Sequence, residues 1–487
     1  MPQHQSKILL TGANGYIGKR LLPALLEKGH FIYCMVRNKK RFHAYIPPEF
    51  QESVQVVEAD MLKKESLKSL PLAIDAAYYL LHSMKNTGDK SFQTLEAESA
   101  SNFVHYVNQT SCQQLIFLSG IMNDDHLSPH LKSRKNVENI LQGANCSYTI
   151  FRAAIIVGSG SASFEIIRDL VKKLPVMVAP KWLNTKCQPI GIRNVIYYLK
   201  EALLQDKLKN KIYDIGGPDT LTYKQMLKVF GEAMGLKRYI YTLPVLTPKL
   251  SSYWLYFVTS TSYPLAKNLV DSMKNEVVVQ LKGVEDAIAR KLLTYRKAVD
   301  LALSRIAENR IPSTWKDAFS SGRLENFFPQ DYKTPEENVF KDIQRLKFDR
   351  PKQEVIENIW SIGGERGWYY ANLLWRIRGF FDKMAGGVGT TRGRRSNEDL
   401  QPSDALDFWR VVAADKSKGY LLLYAEMILP GEAWLSFEVK EDQENGKYLE
   451  QIATFKPKGL MGKAYWYALV PAHYFIFHGM AARIIAY

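Results

Sequence analysis

The segment ILLTGANGYIGKR at 8–20 sets Gly12, Gly15 and Gly18 at intervals of three, between an apolar run and a helical pattern. Each spacing has a physical use. Gly12 lets the chain turn sharply, Gly15 lets backbone amides approach a pyrophosphate with no Cβ in the way, and Gly18 lets the following helix press against the preceding strand. Phosphate oxygens would sit on the free N–H groups at the helix start, where the dipole is also favourable. Glycines alone do not distinguish a dinucleotide cradle from a plain turn, so the context decides. Lys7-Ile8-Leu9-Leu10 reads as a strand, and Ile17, Leu21, Leu22, Leu25 and Leu26 recur at helical spacing. The expected contacts of the cradle are Thr11, Gly12, Asn14, Gly15, Tyr16, Ile17 and Gly18.

Further chemistry gathers at the ends of the next strands. Arg37-Asn38-Lys39-Lys40-Arg41 closes the second strand, where a chain selecting NAD carries an acid for the ribose 2′-hydroxyl. A guanidinium there suits a 2′-phosphate, so NADP is expected ahead of NAD; a solvated basic turn would carry the same letters. Asp60-Met61, beyond the third strand, would meet adenine through a carboxylate and an apolar side chain, or Asp60 would cap the segment that follows. Leu81, His82 and Ser83 end the fourth strand and are expected near the nicotinamide, because ligands bind beyond the carboxyl ends of parallel strands. Ser119 ends the fifth, placed to orient a carbonyl or simply to finish the strand.

These positions need a parallel sheet behind them. Strands are predicted at 31–36, 54–58, 76–81, 114–119, 148–152 and 211–215, alternating with helices at 64–69, 91–109, 129–141, 163–173 and 193–204. The alternation implies an α/β, doubly wound Rossmann fold with helices on both faces. From 216 to about 330 the pattern is mainly helical. After a polar, proline-bearing boundary at 329–337, helical stretches at 353–362 and 368–383 lead to strands at 405–412, 420–428, 433–439 and 448–455, an antiparallel meander. A closing helix at 464–486, apolar nearly all round, should be buried against that sheet. The expected domains are therefore 1–330 and 338–487.

Composition sets wider bounds. The chain has 487 residues, 46% of them hydrophobic, and a net charge of +16 from 65 Lys and Arg against 49 Asp and Glu. That excess attracts polyanions or anionic lipid, yet no nucleic-acid-binding motif accompanies it, so nucleic acid is not an expected partner. Cys34, Cys112, Cys146 and Cys187 are too scattered for a metal site or a disulfide framework and read as thiols in a reducing cytoplasm. A strand beginning at Lys7 leaves no room for a signal peptide. The closing segment, broken by Pro471, His473, His478 and Arg483, reads as a buried or surface-lying helix rather than a spanning one, which leaves peripheral membrane contact open.

TGANGYIG after the first strand, VR after the second, EAD after the third, SG after the fifth and IGGPDTLT after 214 together resemble the short-chain dehydrogenase/reductase superfamily in its extended or atypical branch. The remainder is similar to the bacterial YbjT-like proteins, through IWSIGGERGWYYANLLWRIRG at 359–379, GGVGTTRGRR at 386–395, DALDFWRV at 404–411 and LPGEAWLSFEV at 429–439. The resemblance implies a C-terminal α+β helix-grip domain, in which a curved sheet wraps a long helix around a cavity. Active members of the superfamily use a Tyr as proton donor and a Lys four residues later. The resemblance sets His130 at the Tyr position and Arg134 at the Lys position, so the usual proton transfer does not carry over. An imidazolium at His130 would serve as general acid, or His130 would be only a polar residue at a helix start, and Arg134 would anchor ribose or phosphate without exchanging protons. The aromatics Tyr465, Trp466, Tyr467, Tyr474, Phe475 and Phe477, with Trp360, Trp368 and Trp375, would line a pocket for a small lipophilic ligand or form plain core. His473 and His478, five apart, do not share a helical face as a metal pair would. Two functions follow: an NADPH-dependent reductase of a hydrophobic carbonyl or quinone-like substrate, or a non-catalytic NADP(H) sensor or lipophilic-ligand binder.

Overall fold

A computed structural model describes residues 5–39, 42, 46–82, 91–123, 127–243, 255–256, 258–259, 267, 270–307, 334–364, 366–389, 399–402, 404–442 and 446–487. The chain divides into two compact units, Met1–Leu255 with Pro264–Phe319, and Tyr256–Tyr263 with Ser320–Tyr487.

The first unit is built on seven parallel strands: β1 (Lys7–Thr11), β2 (Phe31–Val36), β3 (Val54–Glu58), β4 (Ala76–Tyr79), β5 (Gln114–Gly120), β6 (Ser147–Ala153) and β7 (Lys211–Ile215). Their spatial order is β7-β6-β5-β4-β1-β2-β3. Each strand is apolar on both faces, as a sheet covered on both sides requires. Ile8, Leu10, Ile32, Cys34, Tyr78, Ile116 and Phe151 face one core with α1 (Gly18–Leu26) and, further along the chain, the helix Ile192–Glu201. Leu9, Met35, Ala77, Tyr79, Leu115, Phe117 and Ile150 face the other with α2 (Phe92–Val107) and α3 (Pro129–Leu141). This period of two sends alternate residues to opposite layers. Strand order reverses at β1, with β2 on one side and β4 on the other, and the crevice beyond such a point is where this fold receives ligands.

The doubly wound architecture is as expected, with local differences. Residues 64–69 form a 3₁₀ helix. Among the described residues after 216, helices span Tyr223–Ala233 and Tyr295–Ala307, and Tyr239–Leu243 pairs in parallel with Val176–Pro180; much of the region expected to be helical lies outside the described residues.

The second unit holds a six-stranded antiparallel sheet in the order β8-β13-β12-β11-β10-β9, formed by β8 (Phe340–Lys347), β9 (Ala405–Leu406), β10 (Trp409–Asp415), β11 (Tyr420–Ala425), β12 (Gly431–Asp442) and β13 (Gly446–Pro457). Asp407, in the left-handed region at φ 52°, divides the expected 405–412 strand in two. Besides a helix at Lys352–Trp360, this unit carries α4 (Asn372–Met384) and α5 (Gly459–Ala486). The helix α4 starts four residues later than expected because Tyr369 and Ala371 also take positive φ.

Trp368, Trp375, Phe408, Trp409 and Phe477 pack ring on ring at centroid separations of 5.5–6.3 Å, so these aromatics are core. The closing helix is not buried all round. Trp466 stacks on Phe340 and Phe455, and Met480, Ala481 and Ile484 enter the core, while Leu460, Met461, Tyr467, Tyr474 and Phe475 remain exposed. The GGVG stretch after α4 wraps two buried charges. The Asp382 carboxylate accepts from the amides of Gly389 (2.8 Å) and Ile428 (2.7 Å), and Lys383 Nζ donates to the carbonyls of Tyr256 and Thr259, each at 2.9 Å.

Candidate nucleotide and proton-transfer site

The loop between β1 and α1 has the form its glycines predict. Gly12 sits at φ 67°, and a Cβ there would lie 2.6 Å from the carbonyl oxygen of Leu80. Gly15 N–H donates to Gly12 O (2.8 Å), which closes the turn. At Gly18 a Cβ would overlap the Gly12 carbonyl and stand 2.8 Å from Ala13 Cα, so the helix can start this close to the strand only with glycine. Asn14, Gly15, Tyr16 and Ile17 are partly exposed along the loop. The Asn14 Oδ1 is buried with no hydrogen-bond partner among the described residues, a deficit that a bound nucleotide's donors would meet. Arg20 lies 4.0 Å from the centre of the Tyr16 ring, and burial pushes the Tyr16 hydroxyl up to about 12, against the pull of Arg20, so it stays protonated.

Other expected cofactor contacts divide. Arg37 is exposed immediately after β2, where a 2′-phosphate would lie. Ser83, Lys40 and Arg41 lie outside the described residues. The Thr11 hydroxyl is spent inside the sheet, donating to Tyr78 O (2.9 Å) and accepting from Leu80 N–H (3.1 Å), so Thr11 shapes the crevice without offering a side chain to it. Asp60 is partly exposed and accepts from Leu62 N–H (3.0 Å) within its own turn, while the cap position of the 3₁₀ helix that follows is Lys63. Met61 is 2% exposed and packs with Leu67 and Phe103 in the α2-side core, which leaves almost no surface for an adenine ring.

Beyond β4 and β5 the structure gathers a polar cluster. His82 Nδ1 lies 2.6 Å from Glu96 Oε1, and the Ser133 hydroxyl donates to Glu96 Oε2. His130, in the first turn of α3, places its ring 4.9 Å from that of His82. Burial alone would raise the Glu96 carboxyl, but His82, Arg134 and Ser133 together outweigh it and hold the acid at about 2. An ionised Glu96 accepts, so Nδ1 of His82 carries the proton and Nε2 keeps its lone pair. Burial, with a smaller push from Arg134, lowers His82 against the pull of Glu96. Burial, His82 and Arg134 lower His130 to about 3.

Two expectations change here. His130, lowered to about 3, is neutral at physiological pH, so it is not the standing imidazolium that the general-acid role calls for. Its Nδ1 is buried without a partner among the described residues. Arg134 is buried, its guanidinium donating to Leu118 O and, more weakly, to Leu81 O (3.5 Å), and lying 4.7 Å over the Phe117 ring. It ties the ends of two strands together instead of reaching for ribose or phosphate. Ser119 is 6% exposed, and its hydroxyl lacks a partner among the described residues, so it stays available at the end of β5. Glu96 was missed in the sequence, although there was a signal. It falls with Ala100, Phe103 and Val107 on the buried stripe of α2, where a carboxylate needs a partner.

The geometry combines a nucleotide cradle at the β1–α1 turn, where Gly12 lies against Leu80, with a carboxylate-held imidazole at His82, two residues further beyond β4. A cavity of about 290 Å³ lies apart from this cluster, beside the outer strand β7, where Ile215, Gly216, Gly217 and Lys282 are among its lining residues. Among the described residues no group of three or more His, Cys, Asp or Glu is placed to hold a metal ion.

Comparison with known proteins agrees with this division. Residues 12–171 match the NAD(P)H-binding family and residues 335–480 a protein family of unknown function, DUF2867. The photosystem II assembly factor Ycf39 of Trieres chinensis is 22% identical over 253 residues, covering 50% of this chain and 74% of that protein. The chloroplastic divinyl chlorophyllide a 8-vinyl-reductase of Arabidopsis thaliana is 22% identical over 228 residues, 43% of this chain and 53% of the relative, so the chain spans about half of that relative's length. A nucleoside-diphosphate-sugar epimerase from Staphylococcus aureus superposes over 60% of this chain and 99% of its own, with a TM-score of 0.50 at 15% identity, which shows a shared fold. The chain thus carries a segment that matches an NAD(P)H-binding family, residues 12–171 on the parallel sheet, and a segment that matches DUF2867, residues 335–480 on the antiparallel sheet.

Proposed function

We propose that this protein is an NADPH-dependent reductase of a hydrophobic carbonyl or quinone-like substrate, in which the Glu96–His82 pair replaces the Tyr–Lys pair of the wider superfamily. The observation that carries this reading is the 2.6 Å contact between Glu96 and His82 at the carboxyl end of β4, with His130 beside it. Gly12, Gly15 and Gly18 would cradle the pyrophosphate, and Arg37 would hold the 2′-phosphate. The bound nicotinamide supplies the hydride. The chain's residues manage the proton. Glu96 fixes the ring of His82 and its Nδ1 proton, which leaves Nε2 to take a proton from solvent and pass it to the reduced oxygen. Ser119 supplies a hydroxyl to orient the carbonyl. A name among the relatives, a vinyl-reductase, agrees with reduction as the reaction class.

The second reading, a non-catalytic NADP(H) sensor, is favoured by one feature: Arg134 is consumed by two carbonyls and cannot exchange protons. Turnover separates the two. NADPH consumption is followed with lipophilic aldehydes and quinones, for the wild type, Glu96→Gln and His82→Asn. The reductase reading expects turnover that falls by about 10²–10⁴-fold in both variants while NADPH affinity holds. Tight NADPH binding with no turnover on either substrate class would establish the sensor instead.

A further inference from the structure

We propose that the C-terminal unit docks on an anionic lipid surface through α4 and the outer side of α5. In α4, Leu373, Leu374, Ile377, Phe381 and Met384 recur at helical spacing and are all exposed, Leu373 by 68%, while Trp375, Gly379, Asp382 and Lys383 on the other side are buried. The usual arrangement of a surface helix is thus inverted, with apolar residues turned outward. In α5, Leu460, Ala464, Tyr467, Pro471 and Tyr474 step along one exposed stripe, with Leu460 at 84% and Tyr467 at 66%. Phe475, also exposed on α5, meets Tyr370, just ahead of α4, at 5.1 Å. Soluble monomers rarely leave so many large apolar side chains of two helices in water.

Charge selects the occupant. The helix α5 contains no Asp or Glu, and the only acid of α4, Asp382, is buried against the Gly389 and Ile428 amides. The exposed charges on these helices, Arg376, Lys463 and Arg483, are all positive, and Lys458 precedes α5. A second copy of the same face would meet it with like charge, whereas anionic headgroups complement it. Two tyrosines on the α5 stripe suit the boundary between headgroups and acyl chains. Length and composition would let α5 cross a membrane, with 22% of its most apolar window buried. Its inner side, however, is committed to the unit's own core through Trp466, Met480, Ala481 and Ile484. The helix therefore lies along the surface.

Flotation of the full-length protein with vesicles tests this, using phosphatidylcholine alone or phosphatidylcholine with about one-third phosphatidylglycerol. The protein is expected to float with the anionic vesicles, and raised salt should weaken the association. Leu373→Asp combined with Phe381→Asp should reduce binding by about tenfold or more. Arg376→Glu combined with Lys463→Glu should remove the preference for anionic vesicles. An unchanged near-ultraviolet circular dichroism signal, to which the buried Trp360, Trp368 and Trp434 of the second unit contribute, shows that each variant folds. The proposal is overturned if the wild type fails to float with anionic vesicles, or if the folded aspartate variant floats as well as the wild type. It is also overturned if the protein is a dimer that the aspartate substitutions split while vesicle binding is absent, since the face then joins two copies.

Discussion

Arg134 and Arg37 are the same residue type in opposite surroundings, one buried and the other exposed. Arg134 is enclosed beyond β5, where it satisfies backbone oxygens and is closed to a ligand. Arg37 is exposed at the end of β2, at the position where the nucleotide's 2′ substituent is read in this fold. A bidentate guanidinium–phosphate pair is strong, and a carboxylate in its place repels the same group. Arg37→Glu is therefore expected to weaken NADPH by about tenfold or more, with little change for NADH. Titration of both nucleotides against the variant checks this; equal losses would remove Arg37 from the 2′-phosphate site. Arg37 was legible in the sequence because a strand end fixes its place. The fate of Arg134 was not, since it depends on carbonyls of Leu81 and Leu118, distant in the chain. The Glu96–His82 pair was hidden for the same reason.

At the scale of elements, local rules carried furthest where one segment contains all the partners. The β1–turn–α1 unit is of this kind: its strand, its glycines and its apolar helical face lie within 20 consecutive residues. Gly18 is its tightest point. Gly18→Ala should cost about 1–3 kcal/mol by overpacking and should also lower NADPH affinity, because the only relief is for α1 to move off the cradle. Thermal denaturation and nucleotide titration read the two effects; a variant unchanged in both would mean that the close approach is not needed. Elements defined by their neighbours were harder to read. The strand β8 escaped notice because FKDIQRLK is a mostly polar edge strand, paired with β13 alone, so alternation leaves one buried residue, Arg345 and Lys347 being exposed. The helix α5 reads as apolar nearly all round, either buried against the sheet or lying on a surface, and periodicity does not say whether both sides of such a helix find protein. Here one side does and the other is open.

At the scale of the whole molecule, the sequence carries an excess of positive charge, +16 near neutrality, and acid adds to it. Two groups of the polar cluster set where stability is lost. The folded His130 titrates at about 3, below its ordinary value of 6.5, so between those values the unfolded chain binds a proton that the folded one refuses. Stability from this group is complete above pH 6.5 and falls as pH drops toward 3. Glu96, held at about 2 against an ordinary 4.5, adds a second loss with the same sign at lower pH, from 4.5 downward. The two windows together predict a steady decline in melting temperature from neutral to acid pH, beginning near pH 6.5, before any ordinary carboxylate is protonated. His130→Phe removes its share of the first window and leaves the second. Its melting temperature should therefore decline less than the wild type's between about pH 6.5 and pH 5, where His82, His30 and His473, also lowered by burial, still contribute, and should then fall with the wild type below about pH 4.5. Parallel curves for the two proteins across the upper window would mean that His130 is not held neutral by the fold.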